Sequence, residues 1–161
     1  CWSWHDAGHS VGWVLRRQAH EALIHRIDAE LAAGTAFEVN AALAADGVEE
    51  VLTVMLDATY LPEWATFHPD GTTATIEIAE GAGSWSMALG RFTGTSPNTG
   101  NTYDDPALRL TDVARPTTEI FGTAADLDLW LWGRGSFDTL SVEGNRDVAQ
   151  RIRAAAADGT Q

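Results

Sequence analysis

Apolar residues recur at helical spacing near the start of the chain. Trp13, Ile24 and Ile27 fall on one side of a segment that contains no proline. This periodicity predicts one long helix from Val11 to Ala33. Gly34 follows directly, as expected for the glycine that ends a helix in a left-handed conformation.

A second helical pattern runs from about Val39 to Tyr60 and ends at Leu61-Pro62. Leu43 and Met55 belong to its apolar side. Asp46-Gly47 interrupts the pattern, because both residues are poor helix formers. We therefore expect the helix to break there into two pieces.

The pattern changes from helical to β-type at about residue 72. The runs TATIEI (73–78) and SWSMAL (84–89) predict two adjacent strands joined by the turn at 80–83. The segment 93–105 is rich in Gly, Thr, Asn and Asp and is predicted to be a loop.

The C-terminal third alternates strand and helix signals. The predicted order is a short strand at 108–110, a strand at 117–121, a helix from a Thr123 cap to Gly133, a strand at 137–142 and a last helix capped by Asn145. Together the elements predict an α+β fold, in which helices cover one face of a mostly antiparallel sheet.

Composition and charge exclude several classes of protein. The 161 residues are 45% hydrophobic, enough for one core or two small ones, and no apolar run approaches the roughly 20 residues that span a bilayer. The net charge of −13, with ten arginines and no lysine, repels phosphate backbones and anionic lipids. We therefore expect neither a nucleic acid nor a membrane as partner. Alanine richness without lysine suggests a genome of high GC content.

The chemistry-bearing candidates lie on the first predicted helix. Glu21 and His25 are four residues apart, so about 40° separates them around the helix axis and both side chains can reach one ion. His20 lies about 140° from His25 and is not expected to join them. A catalytic zinc usually has three protein ligands, so a third must come from elsewhere. The alternative is a surface hydrogen-bonded pair without a metal.

Three residues at the start of the chain were weighed as further candidates. His5 and His9 are also four residues apart, but Asp6 and Gly8 disfavour a helix there, so we expect a loop that lines the site. Cys1 is the single thiol, which excludes a multi-cysteine zinc site and leaves no visible activating base beside it.

Two pairs of motifs resemble a known family. RRQAHEALIHRIDAE (16–30) and ALAADGVEEVL (42–52) resemble the metal-binding helical domain of the mycothiol-dependent maleylpyruvate isomerases, which is related to DinB-type four-helix bundles. FGTAADLDLWLWGR (121–134) and LSVEGN (140–145) are similar to that family's second, sterol-carrier-like domain. The resemblance implies two domains: the C-terminal part of a DinB-like bundle at 1–64 and a sterol-carrier-like α+β domain at 70–161.

The same resemblance implies a site and a reaction. It implies Glu21 and His25 as metal ligands, with the third ligand, a histidine, in a segment upstream of Cys1. Arg134 is expected to bind a substrate carboxylate. The implied cofactors are a divalent metal, zinc by the ligand types, and mycothiol. The metal-bound thiolate would add to an electrophilic small molecule or dicarboxylate, and a cytoplasmic enzyme would isomerise it or transfer the thiol.

Rival functions remain open from the sequence. One is a non-catalytic small-molecule-binding protein, in which the sterol-carrier-like half encloses an apolar ligand. Another is a regulatory protein with a closed, structural or degenerate metal site. A third is a metal-dependent hydrolase with Asp28, one turn beyond His25, as its general base.

Overall fold

A computed structural model describes residues 10–159 of the chain, and the side chains of residues 10–157. His5, His9 and Cys1, which were considered above, lie outside the described residues. The helices are α1 (Val11–Ala33), α2 (Ala41–Glu50), α3 (Ala124–Leu131) and α4 (Arg146–Gly159). The strands are β1 (Ala65–Ile78), β2 (Ser84–Thr95), β3 (Thr102–Leu110), β4 (Thr118–Gly122) and β5 (Ser141–Gly144).

Helix α1 has the bounds that the sequence predicts, because both ends carry strong local signals. The side chain of Ser10 accepts a hydrogen bond from the Trp13 N–H and so caps the first turn. Gly34 ends the helix with φ of 66°, a left-handed conformation that glycine adopts without steric cost.

Helix α2 does not break at Asp46-Gly47, and the predicted interruption is wrong. The helix continues to Glu50 and passes into a single π-helical turn, Val51–Met55. Gly47 lies inside the helix because α2 approaches α3 closely there. A Cβ at position 47 would lie 2.6 Å from an oxygen of Asp128, so close packing outweighs the low helix propensity of glycine.

The five strands form one sheet of order β3-β2-β1-β4-β5. Only the β1–β4 pair is parallel; the other three pairs are antiparallel. The α+β prediction with a mostly antiparallel sheet is therefore confirmed.

The bounds of all five strands differ from the prediction: β1 already begins at Ala65 rather than at 73, and β4 is shifted by one residue. β2 extends to Thr95 and β3 already begins at Thr102, so the predicted loop 93–105 shrinks to residues 96–101. Pro106 lies inside β3, which is an edge strand and tolerates a residue without an N–H. The last strand is 141–144 rather than 137–142, because Phe137–Thr139 forms a 3₁₀ turn.

A single hydrophobic core joins all the elements described so far. Its sheet residues include Ile76, Met87 and Ile120, which pack with buried residues of α3 and α4. The inner side of α1 belongs to the same core through Leu23, Ile24 and Ile27. The helix that carries the candidate metal ligands therefore shares its core with the sheet and the helices that follow it.

Candidate functional site

The Glu21 carboxylate and the His25 imidazole face each other on the outer side of α1. His25 Nε2 lies 3.5 Å from Glu21 Oε2, and the two side chains are 75% and 37% exposed. Two ligands bound about 2.0–2.1 Å from a tetrahedral ion lie about 3.3 Å apart, so this spacing fits a shared divalent metal. The exposure leaves room for further ligands.

Glu21 is held from its other side by Arg17. The Arg17 guanidinium donates to Glu21 Oε1 and also to the carboxylate of Glu50 on α2. Arg17 and Glu50 are both buried, and the guanidinium lies over the Trp132 ring at 5.2 Å. Oε2 is therefore the oxygen of Glu21 that faces His25. The buried Arg17 fixes the position of this carboxylate.

His25 also has a second neighbour, Asp28, one turn further along α1. Asp28 Oδ2 lies 4.0 Å from His25 Nδ1, longer than a hydrogen bond but close enough for an electrostatic attraction. Metal-binding histidines usually have a carboxylate or carbonyl near the ring nitrogen that does not bind the metal. Glu21 thus has a hydrogen-bonded outer partner in Arg17, whereas the carboxylate nearest to His25 Nδ1 lies beyond hydrogen-bond distance.

Arg134 lies at this same site, although it is more than a hundred residues away in the sequence. Its Nε donates to Asp28 Oδ1 at 2.9 Å, its Nη2 donates to Asp28 Oδ2 at 2.8 Å, and its Nη1 donates to the Trp132 carbonyl. Three of the five guanidinium N–H groups are used in these bonds, which leaves two for a ligand.

The ion pair shifts the pKa of both partners. The hydrogen bond from Arg134 is the main reason why the pKa of Asp28 lies below its ordinary value, although burial opposes it. The same bond raises the pKa of Arg134, again against burial, with a further contribution from the charge of Glu21. Asp28 is therefore a carboxylate committed to Arg134, which argues against the general-base role considered for it.

His20 points to the opposite side of α1, as its position along the helix predicts. It is buried, and its Nε2 lies 2.7 Å from Asp46 Oδ2, which also accepts from Arg16 Nε at 2.9 Å. Burial raises the pKa of Asp46, but the bonds from Arg16 and His20 outweigh that effect and lower it. These residues join α1 to α2 and are not part of the Glu21–His25 pair.

Within residues 10–157, no group of three or more His, Cys, Asp or Glu side chains is arranged to hold a metal ion. Glu21 and His25 have the spacing of two metal ligands, so a divalent ion bound there would need a further ligand from outside the described residues.

Four residues near the site were not singled out from the sequence: Arg17, Glu50, Asp128 and Arg153. Asp128 is buried beside Glu50, and the pKa of its carboxyl is raised to about 7, chiefly by burial and also by the charge of Glu50. Their positions depend on contacts between α1, α2, α3 and α4, which periodicity within one element does not reveal. The one available signal was Arg17, a charged residue in line with the apolar side of α1.

Comparison with known protein families gives a match over the later part of the chain. The model of the MDMPI C-terminal domain, the C-terminal domain of maleylpyruvate isomerase, matches residues 42–151. The match covers more than half of the chain, and the chain therefore belongs to this family. Arg134 lies inside the matched range, whereas Glu21 and His25 precede it.

The matched range begins within α2 and so starts before the sheet. Comparisons with curated proteins and with solved structures give no match.

None of the described helices has the length and apolar character that crossing a membrane requires.

Proposed function

We propose that this chain is part of a metal- and mycothiol-dependent enzyme, an isomerase or thiol transferase that acts on a carboxylate-bearing electrophile. The observation that carries the proposal is the convergence of Glu21, His25 and Arg134. A carboxylate–imidazole pair with metal-ligand spacing lies one helical turn from Asp28, which holds Arg134 by two hydrogen bonds. The family membership shown by residues 42–151 supports the same activity.

The residues of the site have separate tasks. Glu21 and His25 would hold a divalent metal. A thiol that binds such a metal has a lowered pKa and is therefore a thiolate at neutral pH. Arg17 fixes the Glu21 carboxylate, and Asp28 fixes Arg134. The two remaining N–H groups of Arg134 can bind a substrate carboxylate and orient the electrophilic carbon toward the thiolate.

The exposure of the pair favours an enzyme over a regulatory protein with a structural metal. A structural zinc site is closed by four protein ligands, whereas His25 is largely open to solvent. The alternative of an apolar ligand inside the sheet domain has less support, because fully buried side chains such as Ile76, Met87 and Ile152 fill the space between sheet and helices.

The metal content of the protein, expressed from its complete reading frame, tests the proposal. We expect about one divalent ion per chain, lost in the Glu21→Ala, His25→Ala double variant. A matched control is Glu77→Ala with His68→Ala, which removes the same residue types from exposed positions on β1. Absence of metal from the unaltered protein would rule out the enzyme proposed here.

A second measurement tests the thiol. Isomerisation of maleylpyruvate by the metal-loaded protein should require added mycothiol and stop when it is omitted. Thiol-independent turnover at the same rate would contradict the assignment.

A further inference from the structure

Two neighbouring arginines of α1 form ion pairs with α2, and the two pairs differ in what else they contact. Arg16 donates to the Asp46 carboxylate at 2.9 Å, and this pair is partly exposed. Arg17 donates to the carboxylate of Glu50, and both of these side chains are buried. The Arg17 guanidinium also donates to Oε1 of the candidate metal ligand Glu21. The second pair, unlike the first, therefore reaches the candidate site.

Stability alone does not explain the buried pair of Arg17 and Glu50. Their side chains are 8% and 2% exposed, and burying two opposite charges costs about as much desolvation as their attraction returns. The guanidinium also lies over the Trp132 ring, 5.2 Å from its centroid. Contacts with Glu50, Trp132 and Glu21 thus fix the direction of this guanidinium. Of these three groups, Glu21 is the one with exposed surface at the candidate site.

The backbone that carries Glu50 is itself held by the core. Glu50 is the last residue of α2 and directly precedes the π-helical turn Val51–Met55. Single π-helical turns are rare and occur frequently at functional sites. Val48 on one side of Glu50, and Val51 and Leu52 on the other, have no exposed surface. The Glu50 carboxylate is therefore a fixed point from which Arg17 can be held.

We propose that Glu50 is a positioning residue for a metal bound by Glu21 and His25, and that it acts through Arg17. The Glu50 carboxylate holds Arg17 and balances its charge, and Arg17 holds Oε1 of Glu21, so that Oε2 stays directed at His25. Without Glu50, the buried guanidinium would be balanced by Glu21 alone, and an uncompensated cation would lie beside the ion. The inference rests on the proposed function, because it requires that Glu21 binds a metal.

The zinc affinity of the protein expressed from its complete reading frame, measured by competition with a chromophoric chelator, tests the role of Glu50. Glu50→Gln keeps the size of the side chain and removes its charge. We expect the Kd for zinc to rise about ten- to hundredfold, as is typical when the outer partner of a metal ligand is lost.

Asp46→Asn is the matched control. It also removes a carboxylate of α2 that pairs with an arginine of α1, but Asp46 contacts Arg16 and His20 and not Arg17. It should change the Kd for zinc by less than about twofold, because the charge of a partly exposed group away from the ion is screened by solvent and salt.

The double variant Arg17→Met, Glu50→Leu separates positioning from charge and from folding. It removes one positive and one negative charge, so the net charge is unchanged, and apolar side chains in place of a buried ion pair should preserve the fold. We expect its melting temperature to stay close to that of the unaltered protein, while its Kd for zinc rises about tenfold or more. A merely structural role of the pair would leave the Kd of the folded double variant unchanged.

The inference is overturned if Glu50→Gln and Asp46→Asn weaken zinc binding equally, because the effect would then come from loosened contacts between α1 and α2. It is also overturned if the double variant binds zinc as tightly as the unaltered protein. An unaltered protein that binds no zinc overturns the proposed function and this inference with it. Zinc that is lost in the Glu21→Ala, His25→Ala variant but bound normally by Glu50→Gln overturns the role of Glu50 alone.

Discussion

Arg134 and Asp28 form a bidentate ion pair, with two N–H···O hydrogen bonds of 2.9 and 2.8 Å, across a separation of 106 residues. The pair joins α1, which carries the candidate metal ligands, to the turn after α3. Together with the hydrogen bond from Nη1 to the Trp132 carbonyl, it fixes the direction of the Arg134 guanidinium. The direction of the Arg134 guanidinium therefore depends on a residue of the helix that carries the candidate metal ligands.

Arg134→Lys should impair substrate binding more than stability. Lysine cannot form the two parallel bonds to Asp28 and still offer donors to a carboxylate, so we expect KM to rise about tenfold or more. The free energy of unfolding should change by less than about 1 kcal/mol, because the pair is partly exposed. Steady-state kinetics and urea unfolding measure the two effects. A large loss of stability with unchanged KM would show that Arg134 is only structural.

Arg17→Met should destabilise the fold by about 3–5 kcal/mol, because it leaves the buried carboxylate of Glu50 without its cation. The double variant Arg17→Met, Glu50→Leu should recover much of this loss, since neither charge then remains in the core. Urea unfolding of the two single variants and the double variant gives the coupling energy. Additive effects would indicate that the two side chains do not interact.

Gly47→Ala should destabilise the protein by about 1–3 kcal/mol, although alanine is the better helix former. The added methyl group would lie 2.6 Å from Asp128 Oδ1 in a tightly packed contact between α2 and α3. Gly12→Ala is the control, because its Cβ would come no closer than 3.8 Å to Ser10 Oγ, and it should be neutral or stabilising. Thermal unfolding compares the two. Equal melting temperatures would contradict the close packing.

The pKa of Asp128 makes part of the stability depend on pH. Because this pKa is about 7 in the folded protein against an ordinary value of 3.8, the folded state keeps a proton that the unfolded state loses as pH rises. This contribution falls between about pH 4 and pH 7 and amounts to no more than about 4 kcal/mol.

Asparagine has no titrating proton at this position. The Asp128→Asn variant should therefore not lose this part of its stability as the pH rises. We expect it to equal the unaltered protein near pH 4 and to exceed its stability above pH 7. Urea unfolding at pH 4.5 and pH 8 measures the difference. Parallel stability curves would show that Asp128 titrates normally.

Local signals explain which parts of the fold were predictable. Gly34 made the end of α1 predictable, and Thr123 and Asn145 made the starts of α3 and α4 predictable. The early start of β3 was not predictable in this way. Pro106 and the polar residues around it are typical of loops, and only the edge position in the sheet accommodates them as a strand.

In the candidate site, too, contacts within one helix were predictable from the sequence and contacts between elements were not. Helix periodicity alone predicts that Glu21 lies beside His25 and that His20 points away from both. No pattern within one element predicts that Asp28 contacts Arg134, or that Arg153 lies against Gly133, because these contacts arise only when α1, α3 and α4 pack together.

The shared core, in which Ile24 and Ile27 of α1 belong to the same cluster as buried residues of the sheet, has a consequence for ligand binding. Because α1 cannot unfold without exposing that core, any ion bound by Glu21 and His25 stabilises the chain as a whole and not one helix. The melting temperature therefore reports occupancy: a hundredfold excess of ion over its Kd adds about 2.7 kcal/mol. Heating the protein with a series of divalent ions thus ranks their affinities without any knowledge of the substrate.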